Sequence, residues 1–294
     1  MRHLLAIVIL LVLVLLCGAL LSFPVYKLLQ PVTDVGFNKM IPQVTSFCGF
    51  FLLLAWCRYC NRFDRATLGY AQSGTAATRQ ILIGFIAGML IIIVLAAALV
   101  LLGIHQVESD RAFNLAGGGM VFLGALVTGL LVGLFEETLY RGALLGGLLT
   151  RMKAVTAVLV SSSIYSAVHF IKFRELPPDA SIIWTSGIQM LPSAFYRFGD
   201  AATLDAFLSL VAFGVLLSLV RLANGSIYQC IGLHAGAVTA LKIVNKTTDY
   251  VPGNSLAFMV NKYDHMLGYL ALLWLAACTL LYYRHAFPGP ASAR

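Results

Sequence analysis

Long runs of apolar residues without a single charge constrain this chain more than any other feature of its sequence. Residues 4–23 and 81–104 contain no Asp, Glu, Lys or Arg. About 20 consecutive apolar residues are needed for an α-helix to cross the hydrocarbon core of a bilayer. Of the 294 residues, 60% are hydrophobic and only 11% are charged, whereas a soluble domain carries about 25% charged residues. These figures exclude a disordered chain, a disulfide-rich secreted scaffold and an ordinary cytosolic enzyme.

The apolar runs predict an all-α fold, a polytopic transmembrane helical bundle of about eight spans. The predicted spans are residues 4–23, 43–57, 81–104, 120–149, 154–171, 204–221, 226–244 and 265–283. No internal repeat, proline-rich linker or low-complexity stretch separates them, so residues 1–294 are predicted to form a single membrane domain. The first run could be a signal peptide, but it is long and lacks a clear small-x-small cleavage site, so we expect it to remain as a span.

The positive net charge of +8 predicts membrane topology rather than a nucleic-acid partner, because the Lys and Arg residues are scattered through the loops. Contact with the lipid bilayer is expected instead. Basic residues dominate the loop after the second span, with one Asp against Arg58, Arg62, Arg65 and Arg79. Basic residues also follow the fourth, sixth and last spans. With an even number of spans, both termini are predicted to be cytoplasmic. As a separate expectation, the membrane is that of a prokaryotic cell.

Three ionisable residues interrupt the fourth apolar run, where a charge at membrane depth costs a few kcal/mol. Glu137 and Arg141 are four residues apart, the favoured orientation for an ion pair on one helix face, so we interpret them as a structural pair. Glu136 then has no partner built into its own helix. A solvated helix end is the alternative for both Glu residues, but residues 142–149 return to an apolar run. A carboxyl group in an apolar cavity suits a general base or acid.

Two histidines are predicted to approach Glu136. His169 follows the basic turn 151–153 by about as many residues as Glu136 precedes it, so an antiparallel hairpin places the two at equal depth. His234 lies in a run with glycines at G-x-x-x-G spacing, and the fourth run has the same spacing. Such glycines permit close helix approach, which would bring His234 toward Glu136. Taken alone, either histidine would be interpreted as an interfacial or core residue.

A carboxylate beside two imidazoles supports two hydrolytic routes. Glu136 can take a proton from water and deliver it to a leaving amide nitrogen. Alternatively, Glu136, His169 and His234 can hold one divalent metal such as zinc, which polarises bound water. Both routes hydrolyse a peptide bond, and the spacing does not decide between them. An ion- or proton-coupled transporter that uses the same residues as a relay is an alternative, although the first and third runs are almost purely aliphatic.

The same residues resemble the CPBP intramembrane proteases, which include the CAAX prenyl endopeptidase type II and bacteriocin-processing (Abi) proteins. The resemblance rests on the motifs Glu136-Glu137-x-x-x-Arg141, Tyr165-x-x-x-His169 and the Leu-His-Ala-Gly segment at His234. It covers residues 100–245 approximately, the expected catalytic core. It implies a helical bundle with an intramembrane catalytic cavity. In that cavity Glu136 activates water, His169 and His234 assist, and Glu137, Arg141 and Tyr165 support them.

The resemblance also implies a substrate class and contains one departure. Members of the family are intramembrane endopeptidases, metallo- or glutamate-type, whose substrates are membrane-associated peptides or proteins such as prenylated CAAX tails. The family usually has Asn or Asp four residues after the last His, where this chain has Val238. Because valine donates no hydrogen bond to a developing oxyanion, a non-catalytic scaffold of the same fold is a further alternative.

Overall fold

A computed structural model describes residues 2–59, 64–72, 74–108, 115–174, 176–177 and 180–288. In these residues the fold is all-α apart from one two-stranded antiparallel ladder, which confirms the predicted class. The helices are α1 (Arg2–Leu29), α2 (Phe37–Tyr59), α3 (Thr75–Leu101), α4 (Leu115–Glu137), α5 (Leu145–Leu149), α6 (Ala154–His169), α7 (Ser186–Met190), α8 (Leu204–Asn224), α9 (Tyr228–Thr247) and α10 (Tyr269–Ala286). The ladder pairs β1 (His105–Val107) with β2 (Thr248–Tyr250). Short 3₁₀ segments are Leu191–Gly199, Ala201–Thr203 and Ala257–Met259.

Every predicted apolar run lies largely within a helix, but the predicted number of eight spans is not confirmed. Among the described residues, five helical segments are long and apolar enough to cross a membrane: Ile9–Leu29, Phe37–Trp56, Thr75–Leu101, Gly118–Leu149 and Ala201–Asn224. Helix α6 is apolar but has only 16 residues. Helices α9 and α10 are not among the five. Helix α9 carries polar and charged residues along its length and is largely buried against its neighbours, so it needs little apolar surface toward lipid.

The chain contains two compact units, which we describe separately. The first comprises Met1–Arg62 and Ala167–Thr203, and the second comprises Phe63–Ser166 and Leu204–Arg294. In the first unit α1 packs against α2 and α7. Side chains from the start of α2, from α7 and from the 3₁₀ segment Leu191–Gly199 contribute to a buried hydrophobic cluster. Its members are Phe37, Ile41, Phe173, Met190 and Ala194. The single domain predicted from the sequence stays a prediction.

In the second unit α9 packs against α3 across glycines on both helices. A Cβ added to Gly84 or Gly88 of α3 would overlap a backbone carbonyl of α9. A Cβ added to Gly232 or Gly236 of α9 would overlap a backbone carbonyl of α3. The two backbones are therefore in direct contact, which is the close approach that small residues permit between membrane helices.

A second glycine seam joins α9 to α4. A Cβ added to Gly129 would lie 2.5 Å from the carbonyl oxygen of Ala235, and one added to Gly133 would lie 2.8 Å from that of Ile231. Helix α9 thus lies between α3 and α4, and its residue His234 faces the end of α4. The expected close approach of these two helices is present, but it uses the glycines of α4 alone, because Gly232 and Gly236 of α9 face α3.

Helix α4 does not continue as a regular α-helix beyond Glu137. Residues Thr138–Leu144 form a π-helix, in which the N–H of Leu145 reaches the carbonyl of Tyr140 five residues earlier. The chain returns to α-helix in α5. A π-helical segment widens the turn and redirects the side chains that follow it, and such segments occur frequently at functional sites.

The glycine seam between α3 and α9 generates a first prediction. We expect Gly232→Leu to lower the free energy of unfolding by about 3 kcal/mol or more, because the added side chain meets backbone that cannot move aside. Thermal unfolding of the purified protein in detergent measures the effect. The matched control is Gly124→Leu in α4, where a Cβ meets nothing within 4 Å. Equal losses of stability in the two variants would contradict the prediction.

Candidate active site

The end of α4 and the π-helical segment carry the acidic and basic side chains of the candidate site. Glu136 and Glu137 are the last residues of α4, and Arg141 lies in the π-helix. Helix α9 supplies His234 and α6 supplies Tyr165. All five residues belong to the second unit.

Glu137 is the residue on which the buried polar contacts converge. Its Oε1 accepts a hydrogen bond from Nδ1 of His234 at 2.7 Å and another from Nη1 of Arg141 at 3.1 Å. The side chains of Glu137 and Arg141 are 0% exposed. The ion pair expected from their spacing is therefore present, although the residues between them are π-helical. One carboxylate oxygen thus offsets the charge of Arg141 and orients the imidazole of His234.

Two further contacts fix the buried guanidinium of Arg141. Its Nη2 donates a hydrogen bond to the carbonyl oxygen of Gly214 in α8 at 3.2 Å. Its carbon Cζ lies 4.4 Å from the ring centroid of Tyr165, within the range of a cation–π interaction. The Tyr165 ring also meets the edge of Tyr140 at a centroid distance of 5.2 Å. Arg141 is thereby anchored to α8 and α6 as well as to Glu137.

His234 presents its second ring nitrogen to Glu136. The distance from Nε2 of His234 to Oε2 of Glu136 is 3.9 Å. The Glu136 side chain is 23% exposed and that of His234 is 4% exposed. The imidazole edge is enclosed by Phe213 and Tyr165, at centroid distances of 5.6 and 6.1 Å. Of the two adjacent carboxyl side chains, Glu137 is fully buried and Glu136 is partly exposed, although the Oε2 atom of Glu136 that faces His234 is itself buried.

The structure brings together most of the predicted site residues within one unit. Glu136, Glu137, Arg141, Tyr165 and His234 form one connected cluster. His169 is the last residue of α6 and belongs to the first unit, so its participation in the site stays a prediction.

Two contributions from α8 were not anticipated from the sequence. Phe213 lies against the imidazole of His234, and the carbonyl of Gly214 accepts from Arg141. Both residues lie in an apolar run in which nothing distinguishes them from their neighbours. The direct hydrogen bond between His234 and Glu137 was also missed, because Arg141 was the only partner that helical spacing could assign to Glu137.

The described residues supply part of a donor set for a metal. Glu136 Oε2 and His234 Nε2 are close enough to share one ion, since zinc lies about 2 Å from each oxygen or nitrogen ligand. The contact between His234 Nδ1 and Glu137 is the arrangement that commonly orients a metal-binding imidazole. However, the described part of the chain contains no group of three or more His, Cys, Asp and Glu residues suited to hold a metal. We therefore derive no reaction step through a metal.

Apolar helices of spanning length, together with ionisable side chains buried between them, define an integral membrane protein with a polar centre inside the bundle. The comparison with known proteins agrees with this class. Residues 117–240 match the family model described as Rce1-like, type II CAAX prenyl endopeptidase Rce1-like. This match confirms the resemblance to the CPBP protease family and spans Glu136, His169 and His234. The searches of curated proteins and of solved structures found no match.

The buried ion pair generates a second prediction. We expect Glu137→Gln to lower the free energy of unfolding by about 3–5 kcal/mol, because it leaves the guanidinium of Arg141 buried without a counter-charge. The double variant Glu137→Gln/Arg141→Met removes both charges and should be more stable than Glu137→Gln alone. Equilibrium unfolding in mixed micelles measures the four proteins of the cycle, which are the wild type, Glu137→Gln, Arg141→Met and the double variant. Strictly additive losses from the two substitutions would contradict the coupling between these side chains.

Proposed function

We propose that the protein is an intramembrane endopeptidase of the CAAX-protease type, in which Glu136 activates a water molecule and His169 and His234 assist. The observation that carries this proposal is the array Glu137–His234–Glu136, in which a fixed carboxylate orients an imidazole toward a second, more accessible carboxylate. The match of residues 117–240 to a protease family supports the same reaction class.

We infer different tasks for the two carboxylates from their contacts. A carboxylate acceptor at Nδ1 requires that this nitrogen carry a proton, so that Nε2 is the ring nitrogen that faces Glu136. The separation of 3.9 Å between Nε2 and Glu136 is long for a direct hydrogen bond. One water molecule can contact both atoms across that separation at about 2.8 Å from each. Glu137 is thus a positioning residue, and Glu136 and His234 face the reacting atoms.

In the proposed reaction, Glu136 moves one proton from water to the leaving nitrogen. Glu136 takes a proton from water while the water oxygen attacks the carbonyl carbon of the scissile peptide bond. The carbonyl oxygen on which negative charge develops accepts a hydrogen bond from Nε2 of His234 when that nitrogen also carries a proton. The carbon–nitrogen bond then breaks, and the carboxylic acid of Glu136 returns its proton to the leaving nitrogen. Arg141 and Tyr165 keep Glu137 in place throughout.

The substrate we propose is a membrane-associated peptide or protein, because its scissile bond must reach a carboxylate that lies among membrane-spanning helices. The cytoplasmic position of both termini and a prokaryotic cell membrane remain part of the proposal. Reporter fusions at the two ends of the full chain test the topology.

A third prediction follows from the role of Glu136. We expect Glu136→Gln to reduce kcat for a membrane-associated peptide by about 10²–10⁴-fold, because the amide cannot accept the proton of water. Cleavage in detergent or vesicles, followed by mass spectrometry, measures the loss. The control is Glu108→Gln, which removes a carboxylate directly after β1. Retained cleavage in a correctly folded Glu136→Gln protein would overturn the proposal. If the wild type cleaves no peptide but carries an ion flux that Glu136→Gln abolishes, the transporter would be favoured.

The same preparation tests the divalent metal that the sequence allows. If Glu136, His169 and His234 hold zinc, metal analysis should find about one ion per chain in the wild type, and His169→Ala should reduce that content. Unchanged activity after chelation, with a metal-free protein, would assign the water-activating step to Glu136 alone.

A fourth prediction concerns Val238, the observation that favours a non-catalytic scaffold. This residue lies one helical turn after His234 in α9 and is only partly buried. We expect Val238→Asn to raise kcat by up to about 10²-fold, since a single oxyanion donor is worth about that much or more. Val238→Ala, which adds no donor, is the matched control. Absence of cleavage by the wild type and by Val238→Asn would support the scaffold.

A further inference from the structure

A cavity in the first unit is lined by basic side chains. It measures about 580 Å³, within the range of roughly 300–1,000 Å³ that is typical of small-molecule sites. Four cationic side chains line it: Lys39, Lys172, Arg174 and Arg197. None of its described lining residues is acidic; Glu175 and Asp179, which follow Arg174 in the sequence, lie outside the described residues. Such a concentration of positive charge around one concavity favours an anionic ligand.

The wall of the cavity is built from fixed elements of the first unit. Phe173, between Lys172 and Arg174, is 6% exposed and belongs to the buried hydrophobic cluster of this unit. The backbone N–H of Lys172 donates to the carbonyl of Ala194 at 3.2 Å. That of Arg174 donates to Oγ of Ser193 at 3.4 Å. These contacts attach residues 172–174 to the 3₁₀ segment Leu191–Gly199.

The two guanidinium groups are arranged around one aromatic ring. Cζ of Arg174 and Cζ of Arg197 lie 5.1 and 5.8 Å from the ring centroid of Tyr196. Nε of Arg197 also donates to the hydroxyl of Tyr196 at 3.1 Å. Planar guanidinium groups held in this way are suited to bind the oxygens of phosphate.

The amine of Lys172 lies in the same positive field. Desolvation in the cavity, followed by the charge of Arg197, holds the pKa of Lys172 below its usual range. A bound anion would offset both effects. The charges of the described lining residues and their positions around the cavity therefore both favour an anionic ligand.

The location of the cavity indicates which anion is available. Asn38 and Lys39 lie in the first turn of α2, and the candidate span Phe37–Trp56 begins at that turn. The cavity is thus at the end of this candidate span, at the level where lipid headgroups would lie. The adjoining 3₁₀ segment exposes Phe195 and Phe198, which are 47% and 46% exposed, and aromatic side chains favour this interfacial depth.

We propose that this cavity binds the phosphate-bearing headgroup of an anionic phospholipid, with Lys39, Lys172, Arg174 and Arg197 as the cationic contacts. The volume accommodates a phosphate together with its polar substituent rather than a bare ion. The site is independent of the proposed peptidase activity, because all of its lining residues belong to the first unit.

The test uses the full-length protein in detergent, titrated with short-chain phosphatidylglycerol, with phosphatidylcholine and, separately, with inorganic phosphate. We expect phosphatidylglycerol to raise Tm of the wild type and phosphatidylcholine to have little effect. Lys172→Gln/Arg174→Gln should weaken the apparent affinity for phosphatidylglycerol about tenfold or more. The matched control is Lys153→Gln/Arg284→Gln, which removes two exposed cations of the second unit and should leave the affinity unchanged.

Three results would overturn the proposal. Equal weakening in the two double variants would show a general charge effect, and unchanged affinity in the cavity variant would show that lipid binds elsewhere. A shift with inorganic phosphate as large as that with phosphatidylglycerol would assign the site to a soluble phosphate. If the cavity variant fails to fold, Lys39→Gln serves as the second variant and should also weaken phosphatidylglycerol binding.

Discussion

A single buried oxygen, Oε1 of Glu137, organises the polar interior of this membrane protein. It accepts from both Arg141 and His234, so it offsets a buried positive charge and fixes the orientation of an imidazole at once. An unpaired charge at this depth would cost several kcal/mol, which makes the three side chains mutually dependent. As a consequence, contacts within the protein alone hold the Nε2 of His234 toward Glu136.

The backbone contacts among α3, α4 and α9 make this cluster possible. Glycines on all three helices bring the backbones together, and the short separation allows His234 to reach the end of α4. The π-helical turn then carries Arg141 back toward Glu137 while α4 gives way to α5. The small residues thus allow the helix backbones to come close, and the π-helical turn orients the side chain of Arg141. Neither feature adds a functional group, yet the position of every side chain in the candidate site depends on them.

The buried cluster around Glu137 and the basic cavity of the first unit differ in whether opposite charges are present among their side chains. In the second unit, Glu137 is matched to a buried Arg141 and to His234, so charge is compensated inside the protein. In the first unit, four cations surround a cavity at the end of a candidate span, and none of the described lining residues is acidic. The charge around this cavity favours an anionic ligand, whereas the charge of Arg141 is offset within the protein by Glu137.

The sequence by itself determined the all-α membrane class, the helical location of its apolar runs, and the pairing of Glu137 with Arg141, because these depend on local hydrophobicity and helical spacing. It also suggested the meeting of His234 with the end of α4, through glycine spacing alone. Only the tertiary structure decided that His234 binds Glu137, that Phe213 and Gly214 complete the cluster, and that four cations share one cavity. Those contacts join segments that are distant in sequence. Their geometry depends on how each helix is rotated about its own axis, and the pattern of residues does not determine that rotation.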